Sequence, residues 1–159
     1  MSNLKTSGLN EVMKMLEKLG QNTDEIVAEA TKAGASIATD VMRQEISSLR
    51  TSDEYAGGNG KRYPRKSDIK GLLDSLGYTP VRFNDSIADV NVGFDGYNSS
   101  KSKKYPKGHP NRMVANAINK GTSFLIAQPF INRTKRKAQS ACIDKMQEVL
   151  DQEIKKFSM

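Results

Sequence analysis

The chain has 159 residues, 36% of them hydrophobic and 6% aromatic, with no Trp, one Cys and one His. Its net charge is +7 and its mean hydropathy is −0.61. That length suits one domain, 1–159, with a real core; so few aromatics argue against a large aromatic-lined pocket, and a lone cysteine excludes an internal disulfide.

Leu9, Val12, Met13, Leu16 and Leu19 recur at helical spacing, and Gly20 is a natural stop. Asn22 then caps a second helix, with Glu25 completing a capping-box pattern. Ile26, Ala30, Ala33, Ile37, Val41, Ile46 and Leu49 form one stripe on that helix, predicted to run from Thr23 to Leu49. Ala30, Ala33, Gly34, Ala35 and Ala38 leave it a shallow face suited to packing on a sheet. These N-terminal helices fill 8–49. A basic Gly-rich loop at 51–67 follows, where Gly57-Gly58-Asn59-Gly60 disfavours regular structure.

The block 68–94 reads as a short helix and a β-hairpin. Ser67 or Asp68 caps the helix, which carries Ile69, Leu72, Leu73 and Leu76. Tyr78 to Phe83 and Ser86 to Phe94 are the strands, joined at Asn84-Asp85. Ala88, Val90, Val92 and Phe94 alternate with Asp89, Asn91 and Gly93, so one face is buried and one is wet. Pro80 places the first strand at an edge or interrupts it. The basic loop 95–111 is rich in Ser, Lys, Gly and Pro. In 112–157 a short helix turns Met113, Ala117 and Ile118 inward, a Gly-Thr-Ser turn follows, and Pro129 opens a long last helix. That helix has Ala138, Cys142, Met146, Val149, Leu150, Ile154 and Phe157 on one stripe, and Cys142 is read as a small buried hydrophobe. The predicted class is α+β: a small antiparallel, hairpin-based sheet packed against two long helices, with short helices and two long mobile loops.

Charge is distributed unevenly. Gly96 to Ile143, 48 residues, contains no Asp or Glu and carries ten cations. The remaining fifteen Lys and Arg face all eighteen acids, so the rest of the chain sums to −3. The candidates for meeting a partner or DNA are Lys101, Lys103, Lys104 and Lys107 in the loop, and Arg133, Lys135, Arg136 and Lys137 in the first turns of the last helix. Cations at a helix N-terminus oppose its dipole by a few tenths of a kcal/mol each. That cost calls for compensation by a nucleic-acid backbone, by an acidic surface on another subunit, or by the chain's own acidic helices. Tyr97 and Tyr105, interleaved with the loop lysines, also allow a stand-alone nucleic-acid-binding module.

Catalytic constellations are scarce. His109 has no second histidine to pair with, and a Cys/His metal cluster is excluded by counting. The Gly57–Gly60 run does not lead from a strand into a helix, as a phosphate loop would. Asp24-Glu25 and Asp53-Glu54 sit beside no pocket. The sequence therefore predicts no enzyme, cofactor or metal. No apolar run approaches a membrane span, and Met1 to Lys5 lack the apolar core of a signal peptide; a soluble protein made in a reducing cytosol is expected.

The order of these elements resembles the small head–tail joining, or tail-completion, proteins of long-tailed bacteriophages and prophages (the neck or minor tail protein family). The likeness runs from about residue 9 to residue 157. Its parts are the Ala/Gly-rich helix at Ala30 to Ala38, the short turn at Ser67 to Ser75, the hairpin at Tyr78 to Phe94, and the short helix at Asn116 to Lys120. Gly121-Thr122-Ser123 and Gln128-Pro129-Phe130 complete it. Lys120 departs from the acidic residue that members usually carry before the Gly-Thr pair, and the loop Gly96 to Pro110 is unusually long and basic. The resemblance implies a structural virion protein of the neck or tail, assembled in the host bacterial cytoplasm. It would form a homo-oligomeric ring, often of six subunits, between connector and tail proteins, with genome DNA passing through. Gly121, Thr122, Ser123, Pro129 and Phe130 are read from their own chemistry as a structural joint. In that joint Gly121 ends the short helix with positive φ, Thr122 and Ser123 satisfy backbone groups, and Phe124, Leu125 and Ile126 anchor the link in the core.

Overall fold

Two long helices dominate the computed structural model, which describes residues 20–53, 60–85 and 87–158 together with Lys14, Glu17 and Lys18. In chain order the elements are α1 (Thr23–Ser47), α2 (Lys66–Ser75), β1 (Leu76–Tyr78), β2 (Arg82–Asn84), β3 (Ile87–Asp89), β4 (Val92–Phe94), α3 (Asn111–Lys120) and α4 (Phe130–Ser158). The α+β class follows. The expected stripe of Leu9, Val12, Met13, Leu16 and Leu19 lies outside the described residues. Gly20 is not a stop: Gly20 and Gln21 are helical and only Asn22 breaks the run before α1. Nor does the expected capping box form. The Asn22 side chain donates back to the Lys18 carbonyl at 2.9 Å instead of capping forward.

α1 and α4 pack antiparallel. Glu45 meets Arg133 and Lys137, while Gly34, a little over three turns earlier, meets Cys142 and Met146. The small residues on α1 are therefore covered by a helix, correcting the expectation of a sheet. The reason is the close approach at Gly34, where a Cβ would lie 2.8 Å from Met146 Sδ. Cys142 donates its Sγ–H to the Gly34 carbonyl at 3.2 Å across the same contact. Burial on α1 follows Ile26, Ala30, Gly34, Ala35, Thr39, Met42, Glu45 and Ile46; the expected Ala33, Ile37 and Val41 are half-buried at the edge of that face. On α4 Ala138 is buried, Cys142, Met146, Val149 and Leu150 are half-buried, and Ile154 is exposed.

The hairpin is longer and more broken than two plain strands. β1 pairs with β4 (Leu76↔Phe94, Gly77↔Gly93, Tyr78↔Val92) and β2 with β3 (Arg82↔Asp89, Phe83↔Ala88, Asn84↔Ile87), both antiparallel. Between the two ladders, residues 79–81 oppose only 90–91. Pro80 sits in that bulge, where its missing N–H costs no ladder bond. Thr79 closes the gap alone: its N–H donates to the Asn91 carbonyl and its Oγ1 accepts from the Asn91 N–H, at 2.9 and 3.0 Å. The extra residue also switches parity, so Leu76, Tyr78 and Phe83 share a face with Ala88, Val92 and Phe94. Asp85 makes the turn with φ 46°.

The core lies where α1, α2, β1, α3 and the start of α4 converge: Met42, Ile46, Leu49, Ile69, Leu72, Leu76, Ala115, Ile118 and Phe130, with Val92, Phe94 and Ile131 against it. Phe130 is fully buried and meets the Phe94 ring edge-on, with centroids 6.3 Å apart. Two details differ from the periodicity reading. The residue capping α2 is Arg65, whose N–H donates to Asp68 Oδ2 at 3.1 Å, so Asp68 serves from inside the first turn. α3 turns Ala115 and Ile118 inward and leaves Met113 exposed. No described helix is long and apolar enough to cross a membrane.

Candidate functional site

The acid-free block divides into three local structures: a joint, a paired cluster and an exposed basic surface. The joint comes first because it aims α4. Gly121 ends α3 with φ 76°, and a Cβ there would stand 2.9 Å from the Ala127 Cβ. Thr122 Oγ1 accepts from the N–H groups of Phe124 and Leu125 at 3.2 and 3.0 Å. Ser123 makes no such bond among the described residues. Leu125 is buried, but Phe124 is 54% exposed and lies under the Arg62 guanidinium, 5.8 Å from the ring centroid. It does not anchor the core, because the link runs as a strand beside Arg62 and alternate side chains face out. Arg62 donates to the Phe124 carbonyl and accepts from the Ile126 N–H, at 2.9 and 3.0 Å.

Two polar side chains complete this joint. Buried Gln128 accepts the Arg50 N–H on Oε1 at 2.9 Å and donates Nε2 to the Arg50 carbonyl at 3.1 Å. It thereby ties the exit of α1 to the start of α4. Asn119 Oδ1 accepts the Ile131 N–H at 3.0 Å and satisfies a free donor in the first turn of α4. A Gln or Asn has no sequence mark for such a clamp; only its position beside a Gly or Pro break hints at one.

The paired cluster is centred on Glu45. Its side chain is 7% exposed, and its two oxygens take Arg133 Nε at 3.0 Å and Lys137 Nζ. The hydrogen bond from Lys137 holds the carboxyl below its ordinary 4.5; burial pushes the other way, and Arg133 adds to the lowering. The four cations expected to face a partner therefore separate. Arg133 and Lys137 are matched by the chain's own helix, while Lys135 and Arg136 are exposed and pair with no acid among the described residues. A single charged residue, Glu45, on the inward stripe of α1 was the available signal, and the sequence reading passed over it.

The exposed basic surface is the loop between β4 and α3. It is cross-tied by backbone and side-chain hydrogen bonds. Tyr97 bridges Pro110, the Asn98 N–H donates to the His109 carbonyl at 2.9 Å, and Ser102 and Tyr105 exchange backbone bonds at 3.0 and 3.1 Å. Buried Asn98 organises the base. Its Oδ1 accepts from the Ser100 and His109 N–H groups, and its Nδ2 donates to Asp68 Oδ1. Gly108, with φ 109°, lies against the Asn98 carbonyl where a side chain would collide. The His109 ring lies tilted against Tyr105, centroids 4.9 Å apart, and its Nδ1 bonds the Ser100 carbonyl. Lys101, Lys103, Lys104 and Lys107 stand exposed beyond this frame, with Lys104 Nζ 5.6 Å over the Tyr105 ring. The loop is anchored to α2 and α3, whereas Arg133 and Lys137 are anchored to α1, so these two basic groups belong to different supports.

An open cleft of about 650 Å³ lies between β1, β4, α3 and α4, with Tyr78, Asn91, Phe94, Arg112, Asn116 and Ile131 in its wall. Among the described residues no three His, Cys, Asp or Glu side chains gather as metal ligands. The arrangement is that of a small α+β domain presenting a basic surface from a braced loop. Comparison with known families, with curated proteins and with solved structures finds no match.

Proposed function

We propose that this chain is a structural protein of a tailed phage or prophage virion, a ring-forming subunit of the neck or tail top that joins head to tail. The observation that carries the reading is the exposure of Lys101, Lys103, Lys104, Lys107, Lys135 and Arg136, all from the acid-free segment and none paired with an acid among the described residues. Such unmatched charge suits a surface completed by an acidic partner. The element order supports the same assignment: a long helix with a small-residue face, a hairpin, and a Gly-Thr-Ser joint leading to a Pro-Phe helix start. The closing test is assembly. Purified protein examined by mass photometry and negative staining is expected to form closed rings, alone or with its connector neighbours; a monomer under both conditions contradicts the proposal.

A stand-alone nucleic-acid-binding module is the second reading, favoured by the lysines and Tyr97 on the loop, the tyrosine being 57% exposed. Deleting the gene separates the two. The first reading predicts loss of infectious particles, the second particles of normal yield.

A further inference from the structure

The loop from Tyr97 to Pro110 is built as a finger, and we propose that its tip grips the phosphate backbone of duplex DNA without reading sequence. The inference deepens the assembly reading by naming the partner of its basic loop. Three features of the finger point there. The first is bracing at the base: the Tyr97–Pro110 bridge, made by the Asn98 N–H to His109 carbonyl and Asn111 N–H to Gly96 carbonyl bonds, is one rung, and the Ser102–Tyr105 pair is another. Asn98 fastens these rungs to Asp68 of α2. Four ammonium groups are thus carried on a braced support, which lowers the ordering cost of binding.

Composition of the tip is the second feature. Residues 99–104 read Ser-Ser-Lys-Ser-Lys-Lys, and Pro106 and Lys107 follow the half-buried Tyr105. A protein-binding surface needs an apolar centre from which charge is depleted; this tip has none. The finger carries only Lys, a mobile point charge that binds phosphate without the fixed geometry of an Arg fork. The third feature is what the tip lacks for base readout. No Arg, Asn or Gln lies within 99–107, and the Lys and Ser side chains there, although able to meet base edges, serve phosphate oxygens equally well, so binding that does not depend on sequence is expected.

The test is binding of the full-length protein to random-sequence duplex DNA, titrated across salt. Each lysine–phosphate contact adds about −0.9 to the slope of log K against log salt. Four contacts therefore predict a slope near −3.6 and a loss of about a hundredfold between about 50 and about 200 mM salt. Each of Lys101→Gln, Lys103→Gln, Lys104→Gln and Lys107→Gln is expected to flatten the slope by about 0.9, with circular dichroism and melting unchanged because all four side chains are exposed. A fourfold variant that keeps the wild-type affinity and slope overturns the inference. So does a fourfold variant that binds DNA normally but no longer joins its protein neighbours, since the finger then meets protein. Rings that form while DNA binding ignores these lysines sink this inference alone; lysine-dependent DNA binding by a chain that never assembles sinks the ring reading alone.

Discussion

Removing Arg133 and Lys137 together, as Arg133→Met/Lys137→Met, is predicted to destabilise the fold more than removing the acid between them. The asymmetry follows from exposure. The Glu45 side chain is 7% exposed, whereas those of Arg133 and Lys137 are 34% and 63% exposed. Without its cations, Glu45 is left as an unpaired buried carboxylate, at a cost of about 3–5 kcal/mol. Glu45→Gln leaves two cations that can turn to water, so the loss is nearer the ~1.5–3 kcal/mol of a charge-assisted hydrogen bond. Relief of the unfavourable helix-dipole interaction at the start of α4 returns only a few tenths of a kcal/mol per cation and does not reverse the order. A triple variant, Glu45→Leu with both Met substitutions, is expected to regain most of the loss, because an apolar trio satisfies the same space. Urea denaturation with a constant m-value reads these differences against a total of about 5–15 kcal/mol. The reasoning is refuted if Glu45→Gln is as damaging as the double variant, or if both lie within about 0.5 kcal/mol of wild type, the range of ordinary surface changes.

Other outcomes follow from the same contacts. The depressed Glu45 carboxyl contributes stability that is present above about pH 4.5 and is lost as pH falls through its lower folded value; acid titration of wild type against Glu45→Gln should show that this contribution disappears in the variant. Gln128→Ala removes both side-chain bonds to the Arg50 main chain and should cost about 2 kcal/mol in the same urea assay, with Gln128→Glu at neutral pH also harmful because Oε1 and Nε2 serve opposite roles. Gly121→Ala forces positive φ and a close contact with Ala127, so it should cost at least about 1–2 kcal/mol, while an Ala at exposed Gly20 should be neutral or stabilising. Burial raises the Cys142 thiol above its ordinary value, so a thiol reagent at neutral pH should label native protein slowly and unfolded protein fast.

Much of the fold was legible because it follows local rules. Helical periodicity located α1 and α4, Gly121 stated its own positive φ, and Pro80 marked the break in the hairpin. What escaped depends on which element lies opposite. The small face of α1 fits a helix or a sheet equally well by composition, and only the antiparallel return of α4 decides between them. The split of the four cations on α4 turns on one Glu placed 88 residues earlier than Arg133. Phe124 reads as apolar and therefore inward, yet the strand-like link beside Arg62 sends it out. The finger was seen as a run of lysines; its frame depends on Asn98 and Gly108, whose roles appear only when the two ends of the loop meet.

The proposed role of this chain is to join heads to tails. Its most direct test is electron microscopy of particles from a phage or induced prophage in which this gene is deleted and then restored on a plasmid. The account predicts DNA-filled heads and separate tails in the deletion, rejoined on complementation. Intact, infectious particles in the absence of the gene would contradict it.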